Sequence, residues 1–318
     1  MVKIKDLKMK YSKLIGLFGI GLFIYLISFI NLELLVDSFK NLDIIYLLIS
    51  FSFIISGVLI KSLKWRLIIN KNDRLSMKTT IIAWISGFGV GLITPAKLGE
   101  LVRAKFLKSK PGISILTVLV DRFNDILVLF LIGIFAVFVL FSKKSALFNL
   151  SYLFILFFVF FIIGVFILKS EKTVKKIGRP FYKFLVPEKF KNFAGENINL
   201  FYKNFKKMNK NKIFVNFLLA IFAWFICFAQ YWFLACAFGL DISYFLICLI
   251  TPILILVQLI PISVSGIGTR EAAAVLILSN FGISPELAIA FSLGILIEDF
   301  ILGGTGLIIL FFSTKELN

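Results

Sequence analysis

The sequence predicts an all-α polytopic membrane protein, with about six full spans and two re-entrant helical hairpins arranged as two inverted repeats. Three observations carry this prediction. Apolar runs of span length recur along the chain; a helix needs about 20 such residues to cross a ~30 Å hydrocarbon core. Hydrophobic residues make up 60% of the 318 and charged residues only 16%, against about 25% charged in soluble domains. That much apolar surface calls for lipid as its solvent. Finally, one order of signals occurs twice, about half a chain apart.

The elements follow in chain order. The runs Leu14–Ile30, Leu42–Ile60, Ile113–Phe141, Leu147–Leu168, Ile213–Phe238 and Pro285–Phe312 are each long enough to span. The first follows a basic start and has no small-residue cleavage site after it, so it reads as a retained span rather than a signal peptide. Met77–Thr94 and Tyr244–Ile260 differ. Each ends at a proline, Pro95 or Pro261, followed by a Gly-containing polar motif and a short helical stretch. The whole chain reads as one transmembrane domain, with repeat one over about 14–141 and repeat two over about 147–312.

Charge sets the orientation. Residues 1–13 carry +4, 61–78 carry +5, 96–110 carry +4 and 169–212 carry +10, whereas 31–43 carry −2. Cytoplasmic loops collect Lys and Arg, so the basic segments go inside, 169–212 forms a cytoplasmic loop, and 31–43 is an outer loop. The N-terminus is then cytoplasmic, in a cell (plasma or inner) membrane. If Met77–Thr94 crossed the membrane, basic 96–110 would land outside. A re-entrant hairpin keeps it inside, and irregular backbone at that depth is tolerated where protein or a polar cavity surrounds it. Eight plain spans remain the alternative.

The repeat is explicit. Pro95 precedes Lys97-Leu98-Gly99-Glu100 and Arg103; Pro261 precedes Ser265-Gly266-Ile267-Gly268-Thr269-Arg270-Glu271. Gly112-Ile113-Ser114 matches Gly282-Ile283-Ser284, and each opens a long apolar helix containing acids. Three spans separate the hairpins, an odd number, so the halves are inverted, as in many secondary transporters with midplane sites.

This arrangement nominates site residues. Helices starting near Gly99 and Gly268 would offer unpaired N–H groups to an anion, and Arg103 and Arg270 would add bidentate phosphate donors. Glu100 and Glu271 would cap the helices or pair with the arginines. Asp121 lies nine residues beyond Gly112, roughly 14 Å along a helix, and shares a face with Asp125; Arg122 is adjacent. Glu298 and Asp299 are similarly deep. These groups would balance charge or couple protons, since membrane-depth charges are costly and purposeful. Gln230, Gln258 and Asn216, with Trp224 and Trp232, read as packing or interhelix hydrogen bonds.

Other chemistry is excluded or unsupported. There is no histidine, hence no imidazole base. Cys227, Cys236 and Cys248 lie in apolar runs without paired spacing and read as packing thiols. No metal, cofactor or nucleic-acid partner is expected. Membrane lipids are the expected partners, with anionic headgroups at 169–212; homo-oligomerisation is left open.

The run Gly91-Leu92-Ile93-Thr94-Pro95-Ala96-Lys97-Leu98-Gly99-Glu100-Leu101-Val102-Arg103, the acidic helix with Asp121-Arg122, and Pro261 with Gly266-Ile267-Gly268-Thr269-Arg270-Glu271 resemble the lysylphosphatidylglycerol synthetase transmembrane-region family of flippase-like membrane proteins. The resemblance implies movement of a lipid between leaflets. In the best-known relatives that lipid is an aminoacylated phospholipid made by a separate soluble domain; other relatives accompany polyprenyl-linked sugar pathways. This chain ends six residues after its last apolar run, so aminoacyl transfer is not expected. The expectation is a transporter of an anionic or phosphate-bearing lipid, of phospholipid or polyprenyl-phosphate type. The rivals are a membrane-embedded lipid-phosphate transferase using Asp121 and Asp125 with Mg²⁺, and a non-transporting scaffold.

Overall fold

The computed structural model describes residues 19–70, 73–140, 188–316 and a few isolated residues between 155 and 174. Every regular element among the described residues is helical. In order these are α1 (Gly19–Ile27), α2 (Leu32–Lys40), α3 (Ile44–Ile68), α4 (Met77–Leu92), the 3-10 segment η1 (Pro95–Phe106), α5 (Pro111–Leu140), α6 (Glu188–Lys207), α7 (Lys210–Ala237), α8 (Tyr244–Leu259), α9 (Thr269–Leu278), η2 (Ser279–Phe281) and α10 (Pro285–Glu316). The expected basic start, most of the span Leu147–Leu168 and residues 175–187 of the basic loop lie outside the described residues.

Four helices, α3, α5, α7 and α10, are long and apolar enough to cross a membrane. Their outer faces expose large apolar side chains such as Ile45, Leu48, Ile55, Phe138, Phe214 and Phe311, a surface suited to lipid. α4 and α8 have 16 residues each, about 24 Å of helix, short of a ~30 Å core. Both stop just before the predicted breakers Pro95 and Pro261, and η1 then packs back along α4 as α9 does on α8. The hairpin reading accounts for this geometry better than eight plain spans do.

Three expectations need correcting. Leu14–Ile30 does not run straight into an outer loop: α1 stops at Ile27 and the chain bends by 95° into α2. Asn31 starts that new helix, its side chain accepting from the Glu33 and Leu34 N–H groups at 2.9 and 3.4 Å, as an N-cap does. α3 continues eight residues past Ile60, because Lys61 and Lys64 find a polar interior rather than water. The basic loop contains α6, which docks on the start of α5: Gly112 N–H donates to Asn197 Oδ1 at 2.8 Å, and Lys110 pairs with Glu196.

Element packing follows the repeat. α3 lies along α7. α4 packs on α10 as α8 packs on α5, and η1 packs on α5 as α9 packs on α10. Each hairpin is thus wedged between the long helix of its own half and that of the other. The main apolar core joins α5, α7, α8, α9 and α10 around residues such as Phe130, Phe228, Ile250, Leu254 and Phe291.

Candidate functional site

The first hairpin closes on a buried ionic cluster. Lys64, near the end of α3, reaches Asp121 at 2.8 Å and Asp125 at 2.9 Å. Arg103 of η1 binds the other Asp121 oxygen at 2.9 Å, and Arg122 binds Glu100 at 2.8 Å. Asn216 of α7 donates to Asp121 at 3.0 Å and to the Lys64 carbonyl at 2.8 Å. The Arg103 guanidinium lies 5.0 Å from the Trp65 ring centre. Lys64, Arg103 and Asp121 are at most 1% exposed. Three cations therefore face three carboxylates, which is how buried charge is tolerated. The cluster ties α3, η1, α5 and α7 together.

The second hairpin is held differently. Glu271 Oε2 accepts the Gly268 N–H at 2.6 Å, and its Oε1 accepts from Arg270 at 3.2 Å and from Ser292 at 2.8 Å. Arg270 also donates to Ser292 at 2.9 Å. Glu271 is thus the helix cap that its first-turn position suggested. Arg270 meets Ser292 on α10 as Arg103 meets Asp121 on α5, so each hairpin arginine meets the long helix of its own half.

These contacts change the picture of the hairpin tips. η1 is a 3-10 segment, not an α-helix beginning at Gly99. The Gly99 N–H is taken by Thr94 Oγ1 at 2.7 Å, and Gly99 sits so close to the Val90 carbonyl that an added Cβ would lie 2.3 Å away. The Gly268 N–H is taken by Glu271. Neither N–H is open to an anion, and Arg103 and Arg270, each 1% exposed, hold carboxylates instead of lining a cavity. Asp121 and Asp125 converge on Lys64, so they do not form an open acidic pair.

The open site lies beside the first cluster. A cleft with a volume of about 60 Å³ is lined by Lys61, Lys97, Trp84, Phe88, Trp224 and Tyr231. Gln230, Gln258, Glu298 and Asp299 complete its wall, and it continues toward Glu100, Arg122 and Asp125. The Lys61 ammonium stands 4.1 Å from the Trp224 ring centre and 5.8 Å from that of Trp84. The Lys97 ammonium stands 5.2 Å from the Phe88 ring centre. Such cation–π contacts hold a charge without neutralising it. Among the described residues, neither lysine makes an ion pair. The Trp224 indole N–H is buried without a hydrogen-bond partner among them.

Backbone strain marks the same place. Ala96 and Lys97 adopt left-handed conformations, with φ of 53° and 54°. Non-glycine residues rarely do so, and such outliers cluster at ligand clamps. The strained turn delivers Lys97 to the cleft. Opposite it, Glu298 Oε1 lies 2.6 Å from Ser50 Oγ, and Glu298 Oε2 accepts from Gln230 Nε2 at 2.8 Å.

The structure therefore brings Glu100, Arg103, Asp121, Arg122 and Asp125 into one cluster and Arg270 with Glu271 into another, with Glu298 and Asp299 on the cleft. Gln230 and Asn216 make the interhelix hydrogen bonds expected of them. From charge alone, Lys61, Lys64 and Lys97 belong to the segments that set orientation. Their signal was present: Lys61 and Lys64 lie three residues apart on one helix face, next to Trp65, directly continuing an apolar run.

Comparison with known proteins agrees with this architecture. The family described as "Lysylphosphatidylglycerol synthase TM region" matches residues 14–304. The chain is 25% identical over 313 residues to a "UPF0104 membrane protein" of Methanocaldococcus jannaschii, covering 92% of this chain and 91% of that one. No solved structure matches the chain.

Proposed function

This chain belongs to the lysylphosphatidylglycerol synthase TM region family, and from that premise we propose that it moves an anionic or phosphate-bearing lipid between membrane leaflets, binding the headgroup in the cleft. One observation carries the reading: Lys61 and Lys97 share an aromatic-walled cleft among the spanning helices without a carboxylate bound to either. Ammonium groups without a bound carboxylate in such a setting are costly and mark substrate paths. The free Trp224 N–H supplies a donor to a headgroup oxygen.

In this reading Arg103 and Arg270 act from behind the cleft. They hold the hairpins in place while Lys61 and Lys97 touch the lipid. Asp121, Asp125, Glu100 and Arg122 set the cleft's electrostatic background. The protein resides in the cell membrane with its N-terminus cytoplasmic, and the basic stretch with α6 meets anionic headgroups at that surface. It is a transporter and not an aminoacyl transferase.

The test is scrambling in liposomes, with fluorescent phosphatidic acid, a polyprenyl phosphate and a zwitterionic phospholipid as parallel substrates. The Lys61→Gln/Lys97→Gln double variant should lose at least tenfold of the anionic-lipid rate, because a charge-assisted hydrogen bond contributes about 1.5–3 kcal/mol and 1.4 kcal/mol is tenfold. Arg103→Ala tests the hairpin itself. Equal rates with and without protein, for every lipid, would refute the proposal.

A further inference from the structure

Glu298 lies 13 residues into α10, about 20 Å along the helix, and is 2% exposed. No cation binds it among the described residues. Its Oε1 lies 2.6 Å from Ser50 Oγ, and Ser50 Oγ also lies 3.0 Å from the Gln230 main-chain carbonyl oxygen. A hydroxyl has one proton to give. Facing an ionised Glu298, Ser50 would have two acceptors in reach and could serve only one. If Glu298 carries a proton, every contact is satisfied. Glu298 donates to Ser50, Ser50 donates to the Gln230 carbonyl, and the Gln230 amide donates to Glu298 Oε2 at 2.8 Å. The three residues then form a ring, closed through Gln230 itself, that links α3, α7 and α10.

The surroundings make that proton consequential. Lys61 on α3 and Lys97 on η1 line the same cleft, with Tyr231 on α7 and Asp299 on α10. Arg270 and Glu271 on α9 are bound to each other. α4 presents Trp84 and Phe88 to the cleft and carries Lys78 only in its first turn. α2 meets α10 near its start, where the Asn31 N–H donates to Glu286, and brings only Glu33, Asp37 and Lys40. Glu100 and Asp125 are already matched by Arg122 and Lys64. The unmatched cleft charges are thus two lysines against Asp299 and Glu298. With Glu298 neutral the cleft is net cationic; with Glu298 ionised it is balanced.

We infer that Glu298 is the proton site of the cleft: it is protonated in this conformation, and its proton and an anionic headgroup are taken up together. The second half rests on the reading given under Proposed function; the first half does not. Linkage is reciprocal, so the proton strengthens anion binding and the anion strengthens proton binding.

The experiment has two arms on purified full-length protein. Infrared difference spectra should show the carbonyl band of a protonated carboxylic acid in the wild type. The band should be gone in Glu298→Gln and retained in Asp299→Asn. Glu298→Gln keeps the shape and both neighbours' hydrogen bonds, and its melting temperature should not fall. A band that persists in Glu298→Gln, or no band in the wild type, overturns the inference. In the second arm, short-chain phosphatidic acid is titrated against tryptophan fluorescence, since Trp84 and Trp224 line the cleft. Wild-type affinity should weaken with rising pH by up to about tenfold per pH unit, the limit for one linked proton, and Glu298→Gln should abolish that dependence. A slope unchanged by Glu298→Gln overturns the coupling. If no lipid binds at all while the infrared band behaves as expected, the lipid reading fails and the proton site stands.

Discussion

Replacing Asp121 with alanine is expected to destabilise the protein more than any other single substitution in the ionic cluster. Asp121 binds Lys64 with one oxygen and Arg103 with the other, and it also accepts from Asn216. Without it the cluster holds three cations against two carboxylates. Lys64 and Arg103 are fully buried and cannot turn to water. Removing one partner of a buried ion pair costs about 3–5 kcal/mol, mostly because the other charge is stranded. The melting temperature in detergent should therefore fall sharply for Asp121→Ala. Asp121→Asn should fall less, since its amide oxygen still accepts a hydrogen bond. The diagnostic comparison is a double variant: Lys64 keeps Asp125, so the stranded cation is Arg103, and adding Arg103→Met to Asp121→Asn should recover part of the loss, a coupling that a double-mutant cycle measures. If Asp121→Ala melts like the wild type, the cluster is not what joins the first hairpin to α3 and α5.

The same residue shows what the sequence made legible. Asp121 was placed deep in a helix by counting from Gly112, and the helix is there, from Pro111 to Leu140. Helix boundaries for α5 and α7 fall within a few residues of the apolar runs, because in lipid the run length and the span length are one constraint. The two hairpins were legible from Pro95 and Pro261. Partners were not. Lys64 carries the same formal charge whether it faces water or Asp121, and only the packing of α3 on α5 distinguishes the two. The positive-inside rule therefore assigned Lys61, Lys64 and Lys97 wholly to orientation, where the fold makes two of them cleft walls and the third a cluster partner. α2 and α6 were read as loops for a related reason. α2 is too short, at nine residues, and α6 too polar to register as a span, and each starts or docks through an asparagine, Asn31 and Asn197, whose role depends on neighbours.

Gly89→Ala is expected to disrupt the joint between the two halves, an effect the sequence reading did not anticipate. Gly87, Gly89 and Gly91 lie within one helical turn of α4. Gly87 and Gly91, four residues apart, face Glu100 and Arg103 of η1. Gly89 points to the other side, where a Cβ would stand 2.3 Å from the Gly303 carbonyl oxygen of α10. One turn away, a Cβ on Gly306 would stand 2.2 Å from the Ile85 carbonyl oxygen. Small residues let helix backbones meet in lipid, where packing rather than the hydrophobic effect holds helices together. The obstacles here are backbone atoms and cannot rotate aside, so α4 and α10 must separate. Overpacking of this kind costs about 1–3 kcal/mol, occasionally more. α4 carries Trp84 and Phe88, and α10 carries Glu298 and Asp299, so separation also pulls apart opposite walls of the cleft. Gly89→Ala should lower the melting temperature and, on the proposed function, lipid movement as well. Gly303→Ala should do less, because the atom nearest its new Cβ is the movable Leu92 side chain at 2.3 Å. Gly304→Ala meets nothing within 4 Å and should match the wild type. If all three alanine variants behave alike, close backbone approach is not what holds the first hairpin against α10, and the link between that hairpin and the acids of the cleft must run through η1 and α5 instead.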